Sequence, residues 1–293
     1  MKRLLVPLDG SPLAEAILPV AEAWAKEEEA EVILLRGVLA RHASGGGDPE
    51  IQVRAVEEGE VYLQAVADRL ERRGLKRVRW AVGYDEPVAA IGQAVTQEGV
   101  DLVAMATHGR SGLSRLLLGS VAEAVVRSAR VPVLLIRGQS AWKPWATGKI
   151  LVPLDGSELS ECILPVVERL AGPRDLTIIL FDVIDPLPSS AVSETSMQPH
   201  QLMALRREDA EGYLAKVAEP LMGKGLRVEC AVRYGRAAET IAAFAGRERA
   251  DLIAMATHGR SGLSRLLLGS VAAGVLRSAS VPLLLFKAAE RGR

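Results

Sequence analysis

Short aliphatic runs alternate along the chain with longer stretches whose apolar positions recur every three or four residues. In the first half the short runs predict strands over residues 3–7, 31–38, 77–82, 102–106 and 132–136. The longer stretches predict helices between them. Ser11-Pro12 supplies good N-cap and N1 residues for the first. A long helix over 51–73 is stopped by Gly74, another covers 87–97, and a last one opens at Gly119-Ser120. The second half repeats the order, with strands over 150–153, 177–183, 227–232, 252–256 and 282–286. Strands that are aliphatic throughout and separated by helices predict a parallel sheet covered on both faces and joined by right-handed crossovers. The fold class is therefore α/β, with ligands expected outside the carboxyl ends of strands where the strand order switches.

The alternation is duplicated. AMATHGRSGLSRLLLGSV at residues 104–121 recurs letter for letter at 254–271, and LLVPLDGS at 4–11 pairs with ILVPLDGS at 150–157. Asp101-Leu102 and Asp251-Leu252 precede the copies, and Val131-Pro132 and Val281-Pro282 follow them. The chain reads as a tandem repeat of a unit of roughly 145 residues. The expected domains are 1–138 and 149–293, joined by a linker over 139–148, each with its own candidate site.

Composition narrows the picture. Hydrophobic residues make up 49% and aromatic residues 4%, so the core is aliphatic. Lys plus Arg and Asp plus Glu are 36 each, and a net charge of zero gives no basic surface for nucleic acid. The two cysteines, Cys162 and Cys230, have no CxxC spacing and no counterpart in the first half, which argues against a zinc site or a disulfide framework. No apolar run reaches the length of a membrane span. With the first strand starting at residue 3 and no signal peptide expected, the expectation is a cytoplasmic protein.

Candidate chemistry gathers in the repeated segment. His108-Gly109-Arg110-Ser111-Gly112, closing on Gly119-Ser120 at a helix start, could aim backbone N–H groups and a positive helix end at phosphate oxygens. The competing reading takes Gly109 and Gly112 as turn residues and Ser120 as an N-cap, with Ser120-Val121-Ala122-Glu123 as a capping box. Ala273 replaces that Glu in the second copy, so Ser270 persists without a box partner. Asp9 and Asp155 end the first strand of each repeat, where a carboxylate could accept from a ribose hydroxyl or adenine amino group, or order the turn before Ser11 and Ser157. Arg110 and Arg260 are candidate phosphate partners, Arg115 and Arg265 surface charges. No metal ligation is expected of His108 or His258, which lack neighbours at ligand spacing. A Walker A lysine, a GxGxxG after the first strand and a nucleophile elbow are all missing.

VPLDGS at the first strand, then MATHGRSGLSRLLLGSVAE, then VPVLLI, resembles the universal stress protein family in its tandem form. The family's ATP-binding branch carries Gly-x2-Gly-x9-Gly-(Ser/Thr). Here its last two glycines are Gly109 and Gly119 with Ser120, and Gly259 and Gly269 with Ser270; Ala106 and Ala256 stand at the first. The resemblance implies two Rossmann-like domains, each a five-stranded sheet ordered 3-2-1-4-5. It also implies ATP as ligand, with Mg²⁺ as an optional companion. The nucleotide set expected in the first repeat is Pro7, Asp9, Val38, Ala106, Thr107, His108, Gly109, Arg110, Ser111, Gly112, Gly119, Ser120 and Val121. In the second repeat it is Pro153, Asp155, Val183, Ala256, Thr257, His258, Gly259, Arg260, Ser261, Gly262, Gly269, Ser270 and Val271. Family members pair through their fifth strands, which implies an internal pseudo-dimer here and leaves a further homodimer and a downstream protein partner open. Segments 41–49 and 185–200, rich in Gly, Pro and Ser, are expected to be flaps over the sites. The leading function is an ATP-binding stress-response or nucleotide-sensing module with little turnover, no catalytic residue and no resident metal. The alternatives are a slow ATP hydrolase or phosphotransferase, and an interaction protein that binds no nucleotide.

Overall fold

A computed structural model describes residues 1–38, 49–107, 118–138, 142, 144–186, 198–257 and 268–287. The expected flaps fall largely on 39–48 and 187–197, outside the described residues. The chain divides into two compact units, Met1–Pro144 and Trp145–Arg293.

Unit 1 runs β1 (Arg3–Pro7), α1 (Pro12–Glu15), α2 (Leu18–Glu28), β2 (Glu31–Gly37), α3 (Pro49–Arg72), β3 (Val78–Gly83), α4 (Pro87–Gln97), β4 (Leu102–Ala106), α5 (Ser120–Ser128) and β5 (Val133–Ile136). Its described strands are parallel and ordered β3-β2-β1-β4-β5. Unit 2 repeats the plan with β6 (Lys149–Pro153), α6 (Glu158–Glu161), α7 (Leu164–Ala171), β7 (Thr177–Ile184), α8 (Pro199–Gly223), β8 (Arg227–Tyr234), α9 (Ala237–Arg247), β9 (Leu252–Ala256), α10 (Ser270–Ser278) and β10 (Leu283–Phe286). Its order is β8-β7-β6-β9-β10, again parallel. The α/β class and the 3-2-1-4-5 order of each repeat agree with the sequence reading. Among the described residues no helix is long and apolar enough to cross a membrane.

Local differences from the sequence reading have physical causes. The single helix expected after Ser11 is two, because Pro19 in the first turn of α2 lacks the N–H that would continue the ladder to Glu15. Pro165 divides α6 from α7 in the same way. The central strands β4 and β9 are buried at every position, as aliphatic strands between two helical layers must be.

The switch in strand order lies between β1 and β4. These strands pair only at Leu4↔Leu102 and Leu5↔Val103, whereas β1 pairs with β2 over five positions. The Pro7 nitrogen cannot donate to a ladder, so the strands part towards their carboxyl ends. At the other end a carboxylate holds them: Asp101 Oδ2 accepts from the Lys2 and Arg3 amides at 2.8 and 3.1 Å, and the Asp101 amide donates to the Arg3 carbonyl at 3.0 Å. Asp251 does the same for β6 and β9, accepting from the Thr147 amide and hydroxyl and from the Lys149 amide at 3.0–3.2 Å.

Asp251 is 5% exposed and holds more donors than Asp101, so its loss strands more part-buried polar groups. Asp251→Ala should destabilise unit 2 by about 2–3 kcal/mol, and Asp101→Ala unit 1 by about 1 kcal/mol, in denaturant titrations. Equal, negligible shifts would show that these clamps do not hold the strands.

Candidate functional site

Where β1 and β4 part, a cleft of about 200 Å³ opens in unit 1. Its walls come from Pro7 at the end of β1 and Asp9 after it, Leu35 and Gly37 on β2, Met105 and Ala106 on β4 with Thr107 just beyond, Pro87 and Ile91 on α4, and Gly119–Ala122 at the start of α5. Unit 2 holds the equivalent cleft, about 280 Å³, among Pro153, Asp155, Phe181, Val183, Ala256, Thr257, Ile241 and the start of α10.

The Leu-Asp-Gly-Ser turn at the cleft floor is ordered by its own side chains. Asp9 Oδ1 accepts from the Ser11 amide at 2.8 Å, and Ser11 Oγ accepts from the Ala14 amide at 3.1 Å, capping α1. Gly10 has φ of 83° and Gly156 of 80°, a left-handed backbone that glycine adopts without strain. In unit 2 Asp155 Oδ1 accepts from the Ser157 amide at 3.1 Å and its hydroxyl at 2.6 Å. The turn-ordering role of both aspartates is therefore realised, and both residues line the clefts as well.

On the opposite wall the helix starts are corrected by one residue. Gly119 is the N-cap of α5, with φ −61° and ψ 145°, and Ser120 is its first helical residue. Gly269 and Ser270 stand likewise on α10. Ser120 is thus not an N-cap, and the capping box with Glu123 does not form: among the described residues no side-chain cap hydrogen bond is made at this end. The N–H groups of the first helical turn have no intrahelical acceptor, and here they border the cleft. Every L-residue can adopt the backbone angles of Gly119 and Gly269, so conformation does not require glycine at either position. What glycine supplies is a wall without a side chain. Each is fixed by its amide, which donates to Thr107 or Thr257 at 2.7 or 2.9 Å.

Beside each floor a tyrosine is bonded to a glutamate. Tyr62 donates to Glu15 and Tyr213 to Glu161, both at 3.0 Å. Burial first, then the glutamate, holds both phenols above their ordinary range, with smaller contributions from Asp9 and Asp155. These phenols stay protonated at neutral pH.

The structure brings together Pro7, Asp9, Ala106, Thr107, Gly119, Ser120 and Val121, and in unit 2 Pro153, Asp155, Val183, Ala256, Thr257, Gly269, Ser270 and Val271. Val38 is not on the cleft wall; it lies just past β2, buried, its amide donating to Gly83 at 2.8 Å. The pairing of Pro7 with Leu35 and of Pro153 with Phe181 makes Gly37 the counterpart of Val183. His108, Gly109, Arg110, Ser111 and Gly112, with His258, Gly259, Arg260, Ser261 and Gly262, lie outside the described residues. Met105, Met255, Ile91 and Ile241 complete the apolar walls, a role their positions within aliphatic periodicity did not distinguish from core. Asp182 on the unit 2 wall also went unread, although offsetting the two repeats by their LDGS motifs sets it opposite Arg36.

Two tandem α/β units, each with a cleft at its strand-order switch, define the class of protein. The profile of the Universal stress protein family matches residues 1–137 and 147–287. A universal stress protein of Mycobacterium tuberculosis is 30% identical over 240 residues, covering 76% of this chain and 78% of its own. Another, from Methanocaldococcus jannaschii, is 33% identical over 140 residues, 47% of this chain and 81% of its own. In the crystal structure of a universal stress protein from Archaeoglobus fulgidus the fold recurs with a TM-score of 0.71, at 22% identity, over 99% of this chain and 97% of that one. The chain belongs to the universal stress protein family, with two tandem family domains.

Cys162, half-buried one turn from the unit 2 floor, is not set up as a nucleophile, since burial pushes its thiol up to about 11. Cys230 is exposed and its thiol is raised by burial as well. Iodoacetamide at pH 8 should therefore label Cys230 first, Cys162 reacting only as the pH approaches 11. Peptide mass spectrometry showing Cys162 labelled first would contradict this.

Proposed function

We propose that each unit binds an adenine nucleotide, ATP, in the cleft between β1 and β4, and that the protein works in stress response by sensing nucleotide with little turnover. The observation that carries this reading is the start of α5 and of α10, each with a glycine N-cap, with no side-chain cap among the described residues, and bordering a cleft at the strand-order switch. Phosphate oxygens would accept from the first-turn amides and from Ser120 or Ser270, where the helix end also contributes partial positive charge. The apolar walls of Met105 and Ile91, or Met255 and Ile241, suit a purine face. Asp9 and Asp155 sit where a ribose hydroxyl or an adenine amino group would donate. The family resemblance assigns the loops 108–112 and 258–262 to the same phosphates.

Little turnover accords with the groups on the described walls. Phosphoryl transfer is accelerated by carboxylates that hold metal beside the phosphates and by a group that positions water. The described walls at the helix starts offer amides and a hydroxyl; Asp9 and Asp155 are engaged in ordering their own turns, and Asp182 and Asp185 of unit 2 stand at the end of β7, two strands away from β9. With ATP and Mg²⁺, phosphate release should stay far below the median enzyme turnover of about 10 s⁻¹. Release at that rate, lost with Gly119→Val and Gly269→Val, would make the protein an ATP hydrolase.

The glycines should matter more than the serines. Gly119→Val with Gly269→Val places branched side chains on walls that the phosphates must approach, and calorimetry should detect no ATP binding. The cost to the fold should be about 1 kcal/mol, since valine is a poor N-cap, and circular dichroism should show the native spectrum. Ser120→Ala with Ser270→Ala removes one hydrogen bond per site, about 1 kcal/mol, and should weaken binding about five-fold. A folded double glycine variant that binds ATP like the parent would overturn the assignment.

A further inference from the structure

We infer that Tyr62 and Tyr213 are positioning residues of the two clefts: each phenol holds the short helix that follows the floor turn, and through it sets where Asp9 or Asp155 meets the ligand. The inference rests on the nucleotide reading above and extends it to residues that do not line the clefts. It starts from what two diverged repeats have kept.

The long helices α3 and α8 differ at most positions, yet both tie themselves in two places to the helices that follow the first strand. Tyr62 donates to Glu15 on α1 and Tyr213 to Glu161 on α6, each at 3.0 Å. Aligning the helices on these tyrosines sets Arg73 opposite Lys224. Arg73 pairs with Glu22 on α2 at 3.3 Å, and Lys224 with Glu168 on α7 at 2.6 Å. The Arg69–Glu15 pair belongs to unit 1 alone, because Pro220 stands at the matching position of α8. What both repeats retain is a phenol on α1 or α6 and a cation on α2 or α7.

The two ties act on different parts of the unit. Helices α1 and α6 have four residues each, a single turn too short to persist by propensity. Ser11 and Ser157 cap them, and the amides of these serines donate to the floor aspartates. The residues just before the glutamates, Ala14 and Ser160, line the clefts. In unit 2 the path is shorter still, since the Ser160 hydroxyl accepts from the Asp155 amide at 3.4 Å and also hydrogen-bonds with the phenol. Asp9 and Asp155 both add to the rise in their phenol's pKa, so phenol and floor carboxylate are close enough to feel each other's charge. The cation ties lie elsewhere. Each long helix runs from the carboxyl end of one strand to the amino end of the next, so Arg73 and Lys224, at its end, are on the side away from the cleft.

Calorimetric titration with ATP tests this, each variant being held where its denaturant titration shows it folded, so that lost stability is not read as lost affinity. Tyr62→Phe with Tyr213→Phe keeps both rings, including the one that Arg36 covers at 5.4 Å, and removes only the hydroxyls. It should weaken ATP binding about five-fold. Glu15→Ala with Glu161→Ala should lose as much, and adding the phenylalanines to it should cost nothing further, since both cut one link. Glu15→Gln with Glu161→Gln leaves each phenol an acceptor and should bind within about two-fold of the parent. Arg73→Gln with Lys224→Gln cuts the distant ties and should leave the affinity as it was. The glutamate variants read the same bond without touching the tyrosines, so the test does not depend on the phenylalanine pair folding. An affinity unmoved by the phenylalanines, glutamines that bind no better than alanines, or an equal loss on cutting the distant ties would each overturn the inference while the nucleotide reading stands. No ATP binding by the unmodified chain would overturn both.

Discussion

Strands β1 and β4 meet over two residue pairs, and everything placed at the site depends on where they part. A longer ladder would close the cleft; a weaker one would let the two halves of the sheet separate. Asp101 and Asp251 hold the lower ends by accepting backbone amides that precede or begin the neighbouring strand. At the upper ends Pro7 and Pro153 withhold a donor, and the chain turns away through Asp-Gly-Ser into a short helix. The cleft in this fold follows from a pairing that stops early. The crevice it leaves is bounded by one strand's turn and by the start of the helix that follows the other strand.

Aliphatic periodicity made the elements legible, because strands buried on both faces cannot alternate polar with apolar positions. The strand order came from the family resemblance; periodicity carries no record of which strands are neighbours. The helix break at Pro19 could have been read, since a proline that follows an N-capped first turn interrupts the ladder it would join. The shift of the N-cap from Ser120 to Gly119 could not, because Ser, Gly and a following Glu fit either frame. Gly37 was hidden for a related reason. It faces the cleft at the end of β2, where a Cβ would meet the Pro87 backbone at 2.9 Å, and only the pairing with β1 shows that it precedes Val38 at the wall.

The duplicated chain keeps its loops identical and lets its walls diverge. Leu35 and Gly37 in unit 1 stand against Phe181 and Val183 in unit 2, and Pro87 against Ala237. Phe181 stacks on Phe244 at 4.2 Å, with Arg233 and Arg247 at 5.2 and 4.9 Å over the same ring, so the unit 2 wall is tied to β8 and α9 through an aromatic contact.

The central claim is that nucleotide phosphates meet backbone amides at the two helix starts. Amide chemical shifts measured on ¹⁵N-labelled protein report those groups directly. Saturating ATP should move the amides of Gly119, Ser120 and Val121, and of Gly269, Ser270 and Val271, more than any on the far ends of the strands beside Asp101 and Asp251. If ATP binds and those six amides stay where they were, the nucleotide sits elsewhere and the account of the cleft is wrong.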